Sequence, residues 1–149
     1  NNYIYDSSII PAKSNMYGTP NAEHSPYRIS SNSIEKNDSS GKLIEFPLLT
    51  TRFLGKKIPA AGGFYLRTLP TNVIKNAIKN YEKKGMPATF YIHSWELTPE
   101  FMPRLDLPLK DKFVTYHNLD KAHSRMSQLL KHFEFTSFSR YIAENEMMI

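Results

Sequence analysis

The strongest constraint in this chain is a helix-patterned segment that runs straight into a strand-patterned one. From Thr71 to Lys84, the residues Val73, Ile74, Ala77, Ile78 and Tyr81 recur at spacings of one, three and four. They therefore share one face of a helix. Pro70 with Thr71 or Asn72 gives its start, Lys83-Lys84 suits the negative C-terminal end, and Gly85 is a natural stop. Beyond Met86-Pro87, the run Thr89, Phe90, Tyr91, Ile92 is β-branched or aromatic and too short for a helix. We read Ala88 to Ile92 as a buried strand. It delivers His93 at its C-terminal end, the edge where ligands bind in α/β folds. Trp95 and Glu96 follow at once, an aromatic wall and a carboxylate.

The other segments are shorter. Tyr3 to Tyr5 reads as the end of a strand, and Asp6-Ser7-Ser8 as its turn into a loop. Residues 9–24 contain Pro11, Gly18 and Pro20 and read as a long irregular loop, a kind of segment that is often functional. Tyr27–Ile29 and Lys42–Phe46 read as two strands of a hairpin, the second stopped by Pro47. Its tip, residues 30–41, is polar and turn-rich, so a mobile loop is expected. A further short strand is expected around Arg52 to Leu54. Gly62-Gly63 permits conformations closed to other residues and close approach of a ligand or chain. No Gly-Lys-Ser/Thr follows, so this is no phosphate loop; a packing or turn role is the plainer reading.

Leu97 to Pro108 carries three prolines and reads as loop. Phe113 to Tyr116 reads as a short extended piece. Asn118 is expected to cap a helix to about His132, with Leu119, Ala122, Met126, Leu129, Leu130 and Phe133 buried. Glu134 to Thr136 reads as a last strand. Ser137 then caps a terminal helix with Phe138, Tyr141 and Ile142 inward. Helix and strand alternate through this half, which argues for an α/β fold with parallel strands.

With 149 residues the chain is long enough for one domain with its own core. No apolar run approaches the roughly 20 residues that span a membrane. The absence of cysteine excludes disulfides and thiolate metal sites. The net charge of +5 is spread over single or paired lysines, so a solvated surface is expected rather than nucleic-acid binding. The chain begins at Asn1 rather than Met and shows no signal-peptide pattern, so it is expected to be a piece of a longer protein. Compartment is open.

Two strand ends suggest chemistry. Asp6 follows Tyr3–Tyr5 and His93 follows Ala88–Ile92. If both strands are parallel members of one sheet or barrel, both side chains emerge at one rim. A carboxylate bonded to an imidazole fixes its tautomer, and such a histidine can donate a proton to a leaving group. Singly, a histidine at a strand end is more often structural, and an Asp before two serines is a turn or cap. His24, His117, His123 and His132 show no helical zinc spacing and are expected to be non-catalytic. No G-x-S-x-G elbow is present.

The ordered set Tyr5-Asp6-Ser7-Ser8-Ile9, Tyr17-Gly18, Glu45-Phe46-Pro47, Gly62 to Arg67, Phe90 to Glu96 and Pro103-Arg104 resembles one family. It is similar to the C-terminal half of bacterial polysaccharide deacetylases of the NodB-homology superfamily, in the exopolysaccharide-biosynthesis branch with a C-terminal extension. The resemblance runs from about Tyr3 to Ile142. Ser94 departs from it, standing where that branch usually has Pro. The resemblance implies an α/β fold, the C-terminal part of a distorted (β/α)7 barrel with a hairpin insertion, residues 42–70 being the branch-specific extension. It also implies metal-dependent hydrolysis of N-acetyl groups on a polysaccharide. The metal, usually zinc, and the water-activating base would come from an N-terminal half, leaving no metal ligand in this chain. On this chain the resemblance implies His93 as the acid that protonates the departing amine and Asp6 as the carboxylate that tunes it. Trp95 would line the acetyl or sugar pocket, and Arg67 and Tyr65, on the branch-specific extension, would contact substrate or charge near the site. The rival reading is a non-catalytic carbohydrate-binding or scaffold protein in which Tyr65, Trp95 and Arg67 meet sugars. Glu96 is open to pairing with an arginine.

Overall fold

Leu43–Glu45 is the centre on which the front half is arranged. In the computed structural model, which describes residues 3–13 and 18–147, β1 (Tyr5–Asp6), β2 (Tyr27–Ile29) and β3 (Leu43–Glu45) form a sheet in the order β1-β3-β2. Tyr17 lies outside the described residues. β1 runs parallel to β3, with Asp6 opposite Glu45, and β2 runs antiparallel, with Tyr27 opposite the same Glu45. The expected hairpin 27–46 is therefore present. Its tip is held by its own polar groups: the Asp38 N–H donates to Arg28 O at 2.9 Å, and Ser40 Oγ donates to Asp38 at 2.7 Å.

Past Pro47 the chain stays extended. The Leu48 N–H donates to Ile9 O at 3.0 Å and the Leu49 N–H to Thr89 O at 3.1 Å. The segment Ala88–Ile92 is thus extended and parallel to 43–49, but it joins at a single bridge, Leu48 to Thr89, rather than along a ladder. β4 (Thr50–Phe53) and β5 (Lys56–Pro59) make a second, antiparallel hairpin. Leu54 and Gly55 both have positive φ, 49° and 76°, as a two-residue hairpin turn of right-handed twist requires. β5 was not expected, because Lys56-Lys57 hides its alternation.

The helices are α1 (Gly63–Thr68), α2 (Thr71–Glu82), α3 (Ser94–Leu97), α4 (Leu109–Tyr116), α5 (Ala122–Leu130) and α6 (Phe138–Glu144). α2 follows its pattern. Ile74, Ala77, Ile78 and Tyr81 are buried, and Gly85 at φ 67° ends it. There the Gly85 N–H donates to Glu82 O and the Met86 N–H to Tyr81 O, the paired bonds of a Schellman stop. Leu49, Leu66, Ile74, Ile78 and Leu129 form the main core with that face. α6 packs Phe138, Tyr141 and Ile142 on Ile44 and Phe46, and Ser137 Oγ accepts from the Arg140 N–H at 3.3 Å.

Four expectations are corrected. Phe113–Tyr116 is the last turn of α4, not extended, because the Arg67 guanidinium takes the carbonyls at its C-terminal end. Asn118 does not cap α5; it sits at φ 51°, and its Nδ2 donates to Arg67 O at 3.2 Å. Leu130 is 53 % exposed. Glu134–Thr136 is irregular. The whole is mixed α/β with two small sheets, and among the described residues no closed barrel forms.

Candidate functional site

A cleft of about 510 Å³ opens where the Ser7-Ser8 turn, the start of α1, and the 91–96 segment meet. His93, Trp95, Tyr91 and Tyr65 line it. His93 ends the extended segment and stands just before α3, so the backbone turns sharply and leaves the imidazole 45 % exposed. Its Nδ1 lies 3.3 Å from Glu96 Oε2 and its Nε2 2.9 Å from Tyr91 Oη. Glu96 also accepts from the His93 backbone N–H at 3.1 Å, one half of a capping box. Trp95 stacks on the imidazole at 5.1 Å, and Tyr91 meets it edge-on at 4.8 Å.

Glu96 is buried and ion-paired with Arg67, whose Nη2 donates to Oε1 at 3.0 Å. Arg67 is itself 1 % exposed. Its remaining N–H groups reach Gly63 O, Val114 O, Thr115 O and His117 O. A charge-assisted network of this kind fixes the carboxylate without leaving buried donors unmade. Gly63 is what lets it fit, since a Cβ there would overlap the Glu96 carboxylate. Gly62, at φ 103°, turns the chain into α1. Packing and turn are therefore the roles of the glycine pair.

The structure does not bring Asp6 and His93 together. Asp6 accepts from Ser8 Oγ at 2.8 Å and lines a different depression, with Tyr3, Tyr5 and Leu43. The carboxylate at the imidazole is Glu96. Arg67 borders the cleft, but its donors are spent on the protein. Tyr65 and Trp95 line the cleft. Sequence reasoning missed Tyr91 and the Glu96–His93 pairing. The signal was the spacing: an acid three residues after the residue that ends an extended run is the pattern of a capping box.

The chemistry available is that of a held imidazole. With the proton on Nδ1, His93 donates to Glu96 and its Nε2 accepts from Tyr91; when doubly protonated, both nitrogens donate. Among the described residues no three His, Asp or Glu side chains converge on a metal position. The cleft offers one imidazole and one carboxylate already engaged by Arg67, so these residues do not make up a metal's ligand set.

Beneath the Ser7-Ser8 turn, Glu45 Oε1 accepts from the backbone N–H groups of Ser8 at 3.1 Å and Ile9 at 2.9 Å. Its Oε2 is buried with no partner among the described residues. Burial pushes this carboxyl's pKa above its ordinary value, opposed by the Ile9 and Ser8 bonds.

The profile of one family, described as "Domain of unknown function (DUF3473)", matches residues 7–143. No curated protein and no solved structure matches the chain.

Proposed function

The chain belongs to the DUF3473 family, and on that premise we propose that its cleft is the proton-donating side of a polysaccharide N-deacetylase. Association of the family with polysaccharide deacetylases supports this reading. The observation that carries it is an imidazole exposed to a cleft, fixed from behind by a buried carboxylate and met in front by a tyrosine hydroxyl.

An amine leaves poorly unless it is protonated as the bond to carbon breaks. His93 Nε2 holds that proton and faces the substrate side; Glu96 keeps Nδ1–H directed away from it. Arg67 holds Glu96 in place and is a positioning residue. Trp95, Tyr91 and Tyr65 form the wall against which an amino-sugar ring lies. Asp6 shapes the Ser7-Ser8 rim. The base and the metal, zinc in this proposal, come from another segment of the protein. That segment also completes the sheet as a barrel. In support, β3 runs parallel to β1, its extension at Leu48 makes a parallel bridge to Thr89 beyond the antiparallel β2, and the outer edges of β1 and 88–92 are unpaired among the described residues.

The test is acetate release from N-acetylglucosamine oligomers by the protein that carries this domain. His93→Ala should lower turnover by about 10²–10⁴, the scale for loss of a general acid. A near-normal rate removes His93 from the mechanism. The second reading, a sugar-binding surface without chemistry, draws on the 49 % exposure of Tyr91 beside Trp95. It predicts oligosaccharide binding that survives chelation and the His93→Ala change, with no acetate released.

A further inference from the structure

A second cleft, of about 600 Å³, lies between the β4–β5 hairpin and the C-terminal end of α2. Arg52, Lys57, Lys83 and Lys84 line it beside His24 and Tyr81, and among the described residues no carboxylate does. None of these four cations is ion-paired among the described residues. Lys57 is partly buried, so its ammonium is short of water as well as of a counter-charge. Burial, then Arg52, holds its pKa below the ordinary lysine range. His24 is held low by burial, then by Lys57 and Lys84, with Glu23 opposing and Lys36 adding. Its Nδ1 lies 2.8 Å from Tyr81 Oη, which also meets Thr50 Oγ1 at 3.1 Å.

Crowded, unpaired cations raise the energy of an empty cleft, and a bound anion relieves it. The α2 carbonyl end offsets part of the charge of Lys83 and Lys84, but Arg52 and Lys57 belong to the hairpin. We infer that this cleft binds a phosphate monoester or phosphate itself. A doubly charged tetrahedral oxyanion answers more of these cations than one carboxylate does, and an arginine fork suits its oxygens. The site is separate from the His93 cleft and does not depend on the proposed deacetylase reading.

The probes are inorganic phosphate and glucose 1-phosphate, titrated calorimetrically at ionic strength held constant with sodium chloride, and vesicles containing phosphatidic acid. Saturable binding is expected, weakened roughly tenfold in Lys57→Ala and in Lys84→Ala, the scale for one charge-assisted contact. Lys112→Ala on α4 should bind as wild type. Circular dichroism checks that each variant is folded. Phosphate should also raise the His24 pKa read by NMR against its neighbours Glu23, Lys36, Lys57, Lys84, Thr50 and Tyr81. Binding confined to vesicles, with the same loss in the variants, assigns a lipid source to the same chemistry. Absence of saturable binding, equal affinity of Lys57→Ala and Lys84→Ala with wild type, or equal loss in Lys112→Ala overturns the assignment.

Discussion

Glu96 is the residue on which the His93 cleft is built. It accepts from one backbone N–H, faces one imidazole and neutralises one buried guanidinium. Glu96→Ala leaves Arg67 as an uncompensated buried charge, so unfolding free energy should fall by about 3–5 kcal/mol. Gly63→Ala keeps both partners but drives a Cβ into the carboxylate. Its expected cost is about 1–3 kcal/mol, the range for an overpacked core. Urea denaturation measures both, and a Gly63→Ala protein as stable as wild type would mean that Glu96 is free to move aside. The sequence pointed to His93 and Trp95 because their chemistry and their place after an apolar run are visible in the letters, whereas Tyr65 entered through the family resemblance alone. The sequence left Arg67 between the substrate and a charge near the site, because a guanidinium reads the same whether its partner is a ligand or a residue 29 positions away. The partner of His93 was likewise sought at a distant strand end, whereas the acid stands three residues on.

Elements were legible where local pattern and tertiary packing agree. α2 has an unbroken apolar face and a glycine stop, and α6 has a serine cap with three inward side chains; both formed as read. Ala88–Ile92, Phe113–Tyr116 and Glu134–Thr136 all have strand-like composition, and none becomes a laddered strand. Strand composition records a fit to a pleated, half-buried surface, which only the neighbours supply. Phe113–Tyr116 meets the Arg67 donors instead, and these reward a helix end. The β4–β5 hairpin was hidden for a related reason: its turn is Leu54-Gly55 rather than Asn-Gly. Leu54 sits at φ 49° and is 86 % exposed, so it bears the strain of a left-handed residue with little packing to offset it. Leu54→Asn should therefore raise stability by about 0.5–1 kcal/mol, read as a higher urea midpoint at unchanged slope. A lower midpoint would show that Leu54 packs in a way its exposure conceals.

At the scale of the whole molecule, one buried carboxyl links the sheet to the cleft. Glu45 is paired across the sheet with Asp6 and Tyr27, and it holds the Ser8 and Ile9 backbone whose neighbours line the His93 cleft. Burial raises its pKa above the ordinary 4.5. The native state therefore holds this proton more tightly than the unfolded chain does. Stability from this group is full below the unfolded value. It is lost as the pH rises from there through the raised native value, and is constant above that. Glu45→Gln retains an oxygen for the two N–H groups and abolishes the titration. Groups remote from Glu45 titrate alike in both proteins, so the difference between them reports Glu45 together with its coupling to the neighbouring Asp6. As the pH rises from about 4 to about 7, that difference should move steadily in favour of the variant. Urea midpoints of the two proteins across this range measure it. A difference that stays flat would mean that Glu45 ionises as readily in the fold as out of it. The turn above it would then rest on a carboxylate whose second oxygen has found water or a partner.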